Sequence, residues 1–271
     1  MPRPARTSPG PAYLLGASAG EHQRLLAQGA LLRDAARQLL DRLPLAERAH
    51  AIDVGCGPLG ILDLLSDKVG PRGTVVGLDN NARMAAWASE SVAALGLANV
   101  TTTLGSLPCE AEPRFDLTHC RLVLINNAAP EAIVASMAAA TRPGGWIALQ
   151  EFDWATWHCE PPHPAWDGLK LLLASVFGGD VHIGARLPTL LRAAGCREIQ
   201  TTAHAFYWRP GDLYQTLLLY FADLFAERIR ARGVDPHTLT SLTHELGRHL
   251  ARPTTTVRES LLVQAWGRKA G

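Results

Sequence analysis

One short stretch of the sequence places a carboxylate beside closely spaced glycines. Residues 53–60 read Asp-Val-Gly-Cys-Gly-Pro-Leu-Gly, and Asp79 follows roughly 20 residues after the glycines. Glycine lets the backbone turn sharply, and a ligand can approach where a Cβ would collide. An Asp at the end of a strand can accept hydrogen bonds from two ribose hydroxyls. The spacing therefore predicts a site for a ligand that contains a ribose.

Alternating strands and helices must position these residues. Apolar runs at 49–55, 74–79, 99–104, 115–124 and 146–152 predict five strands, and apolar residues at helical spacing predict helices over 59–68, 81–95 and 130–140. Strands separated by helices of this length are typical of right-handed βαβ units. We therefore expect a parallel sheet with the glycine turn at the carboxyl end of its first strand.

Further elements flank this core. The leucine spacing predicts one amphipathic helix from Glu21 to Leu43, and later patterns predict helices near 164–177, 185–194, 211–232 and 236–251 and strands near 198–206 and 260–266. The resulting division is a flexible tail at 1–20, a cap helix at 21–45, a core at 46–206, a helical insertion at 207–257 and a final core strand at 258–271.

The glycine spacing also matches the Gly-x-Gly-x-x-Gly fingerprint of dinucleotide dehydrogenases. Asp53 argues against this class, because the fingerprint normally has an apolar residue at that position. The chain also lacks a Tyr-x-x-x-Lys pair, which excludes one dehydrogenase family, and a long helix precedes the first strand. A glycine motif alone is weak evidence, so the other motifs have to decide.

Taken together, the motifs resemble those of class I S-adenosylmethionine-dependent methyltransferases. Residues 53–58 are similar to the family's first motif, 77–79 to its second, and 104–107 to the segment that contacts adenine. Residues 115–122 resemble its fourth-strand motif, and 142–145 the turn before its fifth strand. The resemblance covers roughly residues 45–206 and the final strand. It implies an α/β, Rossmann-like, seven-stranded and mostly parallel sheet with helices on both faces, an N-terminal helical cap and a helical insertion before the last strand.

The same resemblance implies S-adenosyl-L-methionine as the cofactor. The residues that it assigns to cofactor binding are Tyr13, Asp53, Gly55, Cys56, Gly57, Asp79, Asn80, Met84, Gly105, Ser106, Leu107, Cys120 and Arg121. Two positions depart from the family pattern. Ser106 stands where an Asp is common, and Asn126 stands where many relatives have a His, so any base must lie elsewhere.

Histidines outside the motifs are the candidate bases, because an oxygen acceptor usually needs a group to take its proton. His158 is favoured, since it follows the fifth strand, where ligands bind in open α/β sheets. His163, His22 and His182 are alternatives. Each of these is individually more typical of a surface or structural histidine than of a base.

Aromatic residues are expected to determine which acceptor the protein binds. We expect His158, Trp154, Tyr214, Tyr220 and Phe221 to contact the substrate; the rings of the insertion could equally fill its own core. A helical cap without an added RNA-binding module favours a small hydrophobic or aromatic acceptor. We expect O-methylation, with C- or N-methylation open, and the Ala-, Arg- and Leu-rich composition is associated with enzymes of secondary metabolism. The alternatives are a cyclase-like, non-methylating use of the fold and a non-catalytic ligand-binding module.

Composition excludes several other classes. The net charge of +1 provides no basic field for nucleic acid, and the apolar runs are shorter than the ~20 residues of a membrane span. Five scattered cysteines suit free thiols in the cytoplasm. His244 and His249 are five residues apart and do not make a zinc helix, so we expect an exposed face and no metal. A small-molecule acceptor is the expected partner, and a homo-oligomer is possible.

Overall fold

The structure is a computed structural model that describes residues 19–107 and 114–271. Its helices are α1 Ala19–Leu31, α2 Arg33–Asp41, α3 Leu62–Val69, α4 Ala82–Ala94, α5 Pro130–Ala140, α6 Pro164–Val176, α7 Ile183–Ala193, α8 Leu217–Leu224, α9 Ala226–Ala231 and α10 Pro236–Leu250. Its strands are β1 His50–Val54, β2 Thr74–Asp79, β3 Val100–Leu104, β4 Phe115–Arg121, β5 Thr141–Asp153, β6 His158–Glu160, β7 Cys196–His204, β8 Tyr207–Trp208, β9 Thr256–Arg258 and β10 Leu261–Lys269.

Seven strands form the main sheet in the order β3-β2-β1-β4-β5-β10-β7. Strand β10 is antiparallel to both of its neighbours, and the other pairs are parallel. The predicted fold class, a seven-stranded and mostly parallel Rossmann-like sheet, is confirmed. The strand order reverses beside β1. The chain segments that follow β1 and β4 therefore lie on opposite faces of the sheet, and a crevice opens at the carboxyl ends of these two strands.

Successive side chains of the central strands point alternately into two hydrophobic cores, one on each face of the sheet. In β5, Trp146 and Ala148 pack in the cluster that includes α2 and α3, whereas Ile147 and Leu149 pack in the cluster that includes α5 and α7. Successive side chains of a strand point to opposite faces, so a strand covered on both sides is apolar throughout. This explains why the middle strands appear in the sequence as continuous apolar runs.

Three details of the predicted elements are wrong. The single helix expected over 21–43 is divided into α1 and α2 at Leu32, which is fully buried against Ala35 and Leu262. The helix expected over 211–232 contains only α8 and α9, which meet at the buried Phe225. The third error concerns the insertion, where a second sheet was not expected.

That second sheet has the order β6-β9-β8. Strand β9 is antiparallel to both neighbours, with Val257 opposite Cys159 and Trp208. The insertion is therefore not wholly helical, because its two ends pair with each other and with the segment after β5. None of the described helices is long and apolar enough to cross a membrane. Tyr13, Cys109 and most of the expected tail lie outside the described residues.

Trp266 offers a test of the core beneath β10. The Trp266→Ala variant should lower the free energy of unfolding by about 3–5 kcal/mol, because the indole is 1% exposed and its loss leaves a cavity. Leu171 is 73% exposed, so the matched Leu171→Ala change should stay within about 0.5 kcal/mol of the parent. Urea denaturation of both variants measures the difference, and equal losses would contradict this assignment of the core.

Candidate functional site

The turn after β1 needs glycine for steric reasons. Gly55, Gly57 and Gly60 all have positive φ values, between 56° and 69°. A Cβ on Gly60 would lie 2.3 Å from Oδ2 of Asp53 and 2.7 Å from the Cys56 carbonyl oxygen. A Cβ on Gly57 would meet no protein atom within 4 Å, and Gly57 lines a cleft of about 510 Å³. The close contacts at Gly60 explain why the turn needs glycine, and the open space at Gly57 leaves room for a ligand.

Asp53 holds this turn from inside the protein. Its carboxylate is 2% exposed, and Oδ2 accepts a hydrogen bond from the Ile61 N–H at 3.2 Å. Its other oxygen, Oδ1, lies 2.7 Å from Nδ1 of the fully buried His119. A buried carboxylate is costly unless such partners satisfy it. Asp53 therefore links strand β1, the start of α3 and strand β4.

A chain of hydrogen bonds continues from His119 across the sheet. Nε2 of His119 lies 2.7 Å from Nε2 of Gln150, and Oε1 of Gln150 accepts from Gln264 at 2.7 Å. Gln264 also donates to the Ala35 carbonyl of α2 and faces Nε2 of His204 at 3.1 Å. With Gln150 donating, Nε2 of His119 accepts, so its Nδ1–H must donate to Asp53. Gln264, Gln150 and His119 then each donate one hydrogen bond to the next member of the chain, which ends on the Asp53 carboxylate.

Asp79 ends β2 beside the glycine turn. Its oxygens accept hydrogen bonds from the N–H of Gly57 at 2.9 Å and of Asn81 at 2.8 Å. Burial raises the pKa of this carboxyl, and the two backbone N–H groups oppose that shift. Asn81 caps α4 by accepting from Arg83 and Met84. The carboxylate is thus fixed in the cleft with acceptor lone pairs left for hydroxyl donors.

Arg121 brings a cation to the same end of the cleft. Its Nη2 donates to the Gly60 carbonyl at 3.0 Å, while Nη1 is buried and finds no hydrogen-bond partner among the described residues. Burial lowers the pKa of this guanidinium, and the charge of Asp53 opposes that shift. A buried donor without a partner is costly and marks a place for an anionic ligand group. The residues present therefore fit S-adenosylmethionine, whose carboxylate Arg121 would hold and whose ribose Asp79 would hold.

Most of the residues predicted to bind the cofactor line this cleft. They are Asp53, Gly55, Cys56, Gly57, Asp79, Asn80, Met84, Gly105, Ser106, Leu107 and Arg121. Cys120 is different, because it is fully buried and lies outside the lining, where burial raises the pKa of its thiol. Its side chain packs in the core between Ile52 and Leu149 and their neighbours. The prediction that Tyr13 contacts the cofactor falls outside the described residues.

Aromatic side chains form the other end of the cleft. Trp154, Trp157, Phe177 and Phe221 all line it, and the Trp154 ring lies 5.0 Å from Phe177 and 6.3 Å from Phe221. The Trp157 indole N–H is buried without a hydrogen-bond partner among the described residues. From α1, Arg24, Leu25 and Gln28 also line the cleft. Arg24 pairs with the buried Glu21 at 2.7 Å.

Two predicted substrate residues lie elsewhere. Tyr220 does not line the cleft and is 42% exposed, because it is on the outer side of α8. Tyr214 is buried but is also absent from the lining, and its hydroxyl donates weakly to the Arg24 carbonyl at 3.5 Å. It therefore joins the insertion to α1. Helical spacing places only one side of α8 toward the cleft, and Phe221 is on that side.

The favoured base, His158, is also outside the cleft. Strand β6 pairs with β9, which places Nδ1 of His158 3.3 Å from Nη2 of Arg258. Burial and the neighbouring Arg258 lower the pKa of this imidazole. The structure therefore places His158, predicted as base and substrate contact, outside the cleft that the other site residues line. The pairing that removes it joins residues about a hundred positions apart, which local patterns do not reveal.

The alternative histidines serve structural contacts. His22 stacks on Trp87 at 4.2 Å, His163 caps α6, and His182 lies 3.4 Å from Asp153. None of these three described side chains lines the cleft. The expectation of an exposed face on α10 is wrong for His249, which is buried and bonds the Pro161 carbonyl. Among the described residues, no group of three or more His, Cys, Asp or Glu side chains could hold a metal.

Two buried glutamates were missed by the sequence analysis. Glu151 accepts from the N–H groups of Val123 at 2.9 Å and Leu124 at 2.7 Å, and so holds the turn after β4 that lines the cleft. Glu259 lies just before β10, is 4% exposed and lines the cleft. Burial raises the pKa of Glu151 to about 8 and that of Glu259 to about 7. No motif marks either residue, since each depends on long-range packing.

The turn that Glu151 holds is itself strained. Leu122 has a φ of 57°, a left-handed conformation that costs a leucine about 1–2 kcal/mol. The Asn126 amide donates to the Leu122 carbonyl at 2.8 Å, and its Oδ1 is buried without a partner among the described residues. Leu122 and Asn126 both line the cleft. Strain of this kind concentrates at functional sites, where the surroundings over-determine the backbone.

Comparison with known proteins gives one family match and several relatives. Residues 45–183 match a family described as a methyltransferase domain. Trans-aconitate 2-methyltransferase of Variovorax paradoxus is 35% identical over 120 residues, which is 44% of this chain and 44% of the relative. Nocamycin O-methyltransferase of Saccharothrix syringae is 34% identical over 122 residues, which is 43% of this chain and 42% of the relative. The match thus spans less than half the length of these curated relatives.

Solved structures share the fold at low identity. Geranyl diphosphate methyltransferase in complex with S-adenosylmethionine has a TM-score of 0.54 and 14% identity, and the match covers 95% of this chain and 94% of the other. The Haemonchus contortus N-methyltransferase solved with phosphomonomethylethanolamine and S-adenosylhomocysteine has a TM-score of 0.52 and 14% identity, covering 90% of this chain and 53% of the other. Identities this low support the fold and nothing finer.

The hydrogen-bond chain from Asp53 to His204 can be tested at its two ends. The His119→Leu change should lower the free energy of unfolding by about 3 kcal/mol, because it leaves the buried Asp53 carboxylate without its partner. The matched His204→Leu change should cost about 1 kcal/mol or less, since His204 is only half-buried. Chemical denaturation measures both, and a larger loss at His204 would contradict a chain that ends on Asp53.

Proposed function

Because residues 45–183 match its model over half of the sequence, this chain belongs to the methyltransferase domain family, and we propose that it methylates a small aromatic or hydrophobic acceptor. S-adenosylmethionine is the cofactor. One observation carries the proposal: a single cleft joins the glycine turn and Asp79 at one end to the rings of Trp154 and Phe221 at the other. Both reactants can therefore lie in one enclosure.

The bound cofactor supplies a methyl group already activated on a sulfonium. The protein has to align the acceptor with that methyl and exclude water. Asp79 and Arg121 would hold the cofactor at its ribose and its carboxylate, and the turn after β4, which Glu151 holds, lines the same cleft. The rings of Trp154, Phe177 and Phe221 enclose the acceptor with apolar surface.

We favour an oxygen as the methylated atom, with carbon or nitrogen as less favoured choices. Ring-lined pockets suit planar apolar ligands. The nocamycin relative is named as an O-methyltransferase, which supports the choice of oxygen. A role in secondary metabolism is also part of the proposal. The trans-aconitate methyltransferases support a small acceptor, although the acceptor in their name is an acid and not an aromatic compound.

The proposal also covers partners and location. A net charge of +1 argues for a small-molecule acceptor over nucleic acid, and no membrane partner is proposed. The four described cysteines, Cys56, Cys120, Cys159 and Cys196, are free and buried, which suits the reducing cytoplasm that we propose. The proposal includes assembly into a homo-oligomer.

Calorimetry on the purified protein tests the cofactor site. S-adenosylmethionine and S-adenosylhomocysteine should bind, and nicotinamide dinucleotides should not. Asp79→Asn should weaken binding on the order of tenfold or more, because a charged acceptor of hydroxyl bonds is lost. The matched Glu90→Gln change removes an exposed carboxylate of α4 and should leave the affinity unchanged.

Transfer of labelled methyl to a panel of phenols tests the reaction. We expect label in at least one phenol and none without protein. Binding of the cofactor with no transfer to phenols, amines or carbon acids would instead favour a non-methylating enzyme or a ligand-binding module. Binding of dinucleotide alone would overturn the proposal.

A further inference from the structure

Glu259 is the one carboxylate at the aromatic end of the cleft among the described lining residues. It precedes β10, and together with Ser260 it lines the same enclosure as Trp154 and Phe221. It is 4% exposed, so its charge has been taken out of water. Asp53 and Asp79, the other two lining acids, are committed to the glycine turn. The position of Glu259 therefore calls for a role at the acceptor.

Its hydrogen bonds leave the carboxylate incompletely satisfied. Oε1 accepts from the N–H of Ser260 at 2.9 Å and lies 3.2 Å from the Ser260 hydroxyl. Oε2 accepts a long bond of 3.3 Å from the Trp208 indole N–H. A carboxylate has about four acceptor sites, so lone pairs remain, above all on Oε2. A buried group with spare acceptor capacity can take a hydrogen bond from a ligand.

The charged side chains around it, among the described residues, form no salt bridge with Glu259. From α1, Arg24 faces this region but pairs with Glu21. Within the insertion, the Trp208 indole bonds Glu259 and carries no charge, and the charge of Glu259 contributes to raising the pKa of Tyr214. Arg258, its neighbour in sequence, directs its guanidinium to the Thr156 carbonyl and His158. Burial thus dominates, and it raises the pKa of Glu259 to about 7, where a proton acceptor works well at neutral pH.

Resting on the proposed function, we propose that Glu259 takes the proton of a neutral hydroxyl acceptor, most simply a phenol, and that it excludes carboxylate acceptors. The acceptor enters as O–H and donates to a carboxylate oxygen of Glu259. Trp157, whose indole N–H lines the same cleft and has no hydrogen-bond partner among the described residues, can donate to the acceptor's oxygen. The acceptor's hydroxyl then donates one hydrogen bond to Glu259 and accepts another from Trp157, and the two bonds orient it. An anionic acceptor would lack the proton that the bond to Glu259 needs.

The atoms and charges of this step balance. The oxygen forms a bond to the methyl carbon, and its proton passes to Glu259. The carbon–sulfur bond breaks with its electron pair on sulfur, which becomes a neutral thioether. Glu259 ends the step protonated and returns the proton to solvent when the product leaves. No oxidant, reductant or metal takes part.

The pH profile of kcat/KM tests the proton acceptor. In the parent protein the rate should rise with pH through about 7, because Glu259 must be ionised to act. In Glu259→Gln the rate should fall on the order of a hundredfold, and this limb should vanish, since an amide cannot take the proton. A folded Glu259→Gln protein with the parent rate and limb would overturn the proposal while leaving the cofactor site intact.

Trp208→Phe provides a directional control. It keeps an aromatic ring but removes the N–H that lowers the pKa of Glu259. The limb of the profile should therefore move to higher pH and should not disappear. A purely structural role for Glu259 would leave the position of the limb unchanged, so an unmoved limb in this variant contradicts the assignment.

Stability against pH gives a readout that needs no turnover. The folded Glu259 keeps its proton above the ordinary glutamate pKa of 4.5, up to about 7. The native state then binds more protons than the unfolded state, so this contribution is full below pH 4.5 and is lost as the pH rises through about 7. Between these values the melting temperature of the parent should fall relative to that of Glu259→Gln. Parallel curves would contradict a buried, titrating Glu259.

Binding of matched aromatic ligands tests the acceptor class. Protein saturated with S-adenosylhomocysteine should bind naphthol at pH 8, and it should bind naphthoate on the order of tenfold or more weakly, because two buried anions repel. Glu259→Gln should reduce this discrimination. Equal affinity of the parent for both ligands, or binding of neither ligand by protein that does bind S-adenosylhomocysteine, would overturn the inference. Failure to bind S-adenosylhomocysteine would instead count against the proposed function.

Discussion

The pairing of Asp53 with the Ile61 N–H and His119 is the interaction on which the rest of the cleft depends. A carboxylate buried this deeply costs several kcal/mol unless its partners are in place. The bond to Ile61 holds the chain so close that Gly60 cannot carry a Cβ. That approach brings the Gly60 carbonyl to Arg121, and the same turn presents the Gly57 N–H to Asp79. The ligand-facing groups are therefore arranged by a residue whose own charge is satisfied inside the protein.

The sheet supports this carboxylate because polar side chains occupy neighbouring positions on successive strands. Asp53 is opposite His119, and Gln150 is opposite Gln264. Glutamine carries a donor and an acceptor, so it can pass the direction of a hydrogen-bond chain from one strand to the next. Gln264 also bonds the Ala35 carbonyl of α2, so the N-terminal helices and the glycine turn share one network. A fully satisfied buried network of this kind specifies a single register.

Site residues that belong to a short, contiguous motif could be predicted from the sequence, whereas residues positioned by contacts between distant segments could not. Gly55, Gly57 and Asp79 could be predicted, because a strand, a glycine turn and an acid about 20 residues later form a contiguous pattern. His158 was misplaced because β6 pairs with β9, and Glu259 was missed because its burial depends on the meeting of β10, the insertion and α1. Tyr220 and Phe221 are adjacent, yet only Phe221 faces the cleft. The orientation of α8, which decides between them, is set by tertiary packing that no local pattern contains.

Burial at the acceptor end has a consequence for the charge balance of the proposed reaction. Methyl transfer removes the positive charge of a sulfonium, and proton transfer to Glu259 removes a negative charge. Two opposite charges therefore disappear inside an apolar enclosure, and since desolvation disfavours ionised forms, burial favours the products. A carboxylate acceptor would cancel the positive charge of the sulfonium with its own negative charge. Glu259 would then remain a buried anion without a compensating charge. The same desolvation that raises the pKa of Glu259 to about 7 thus selects an acceptor that brings its own proton.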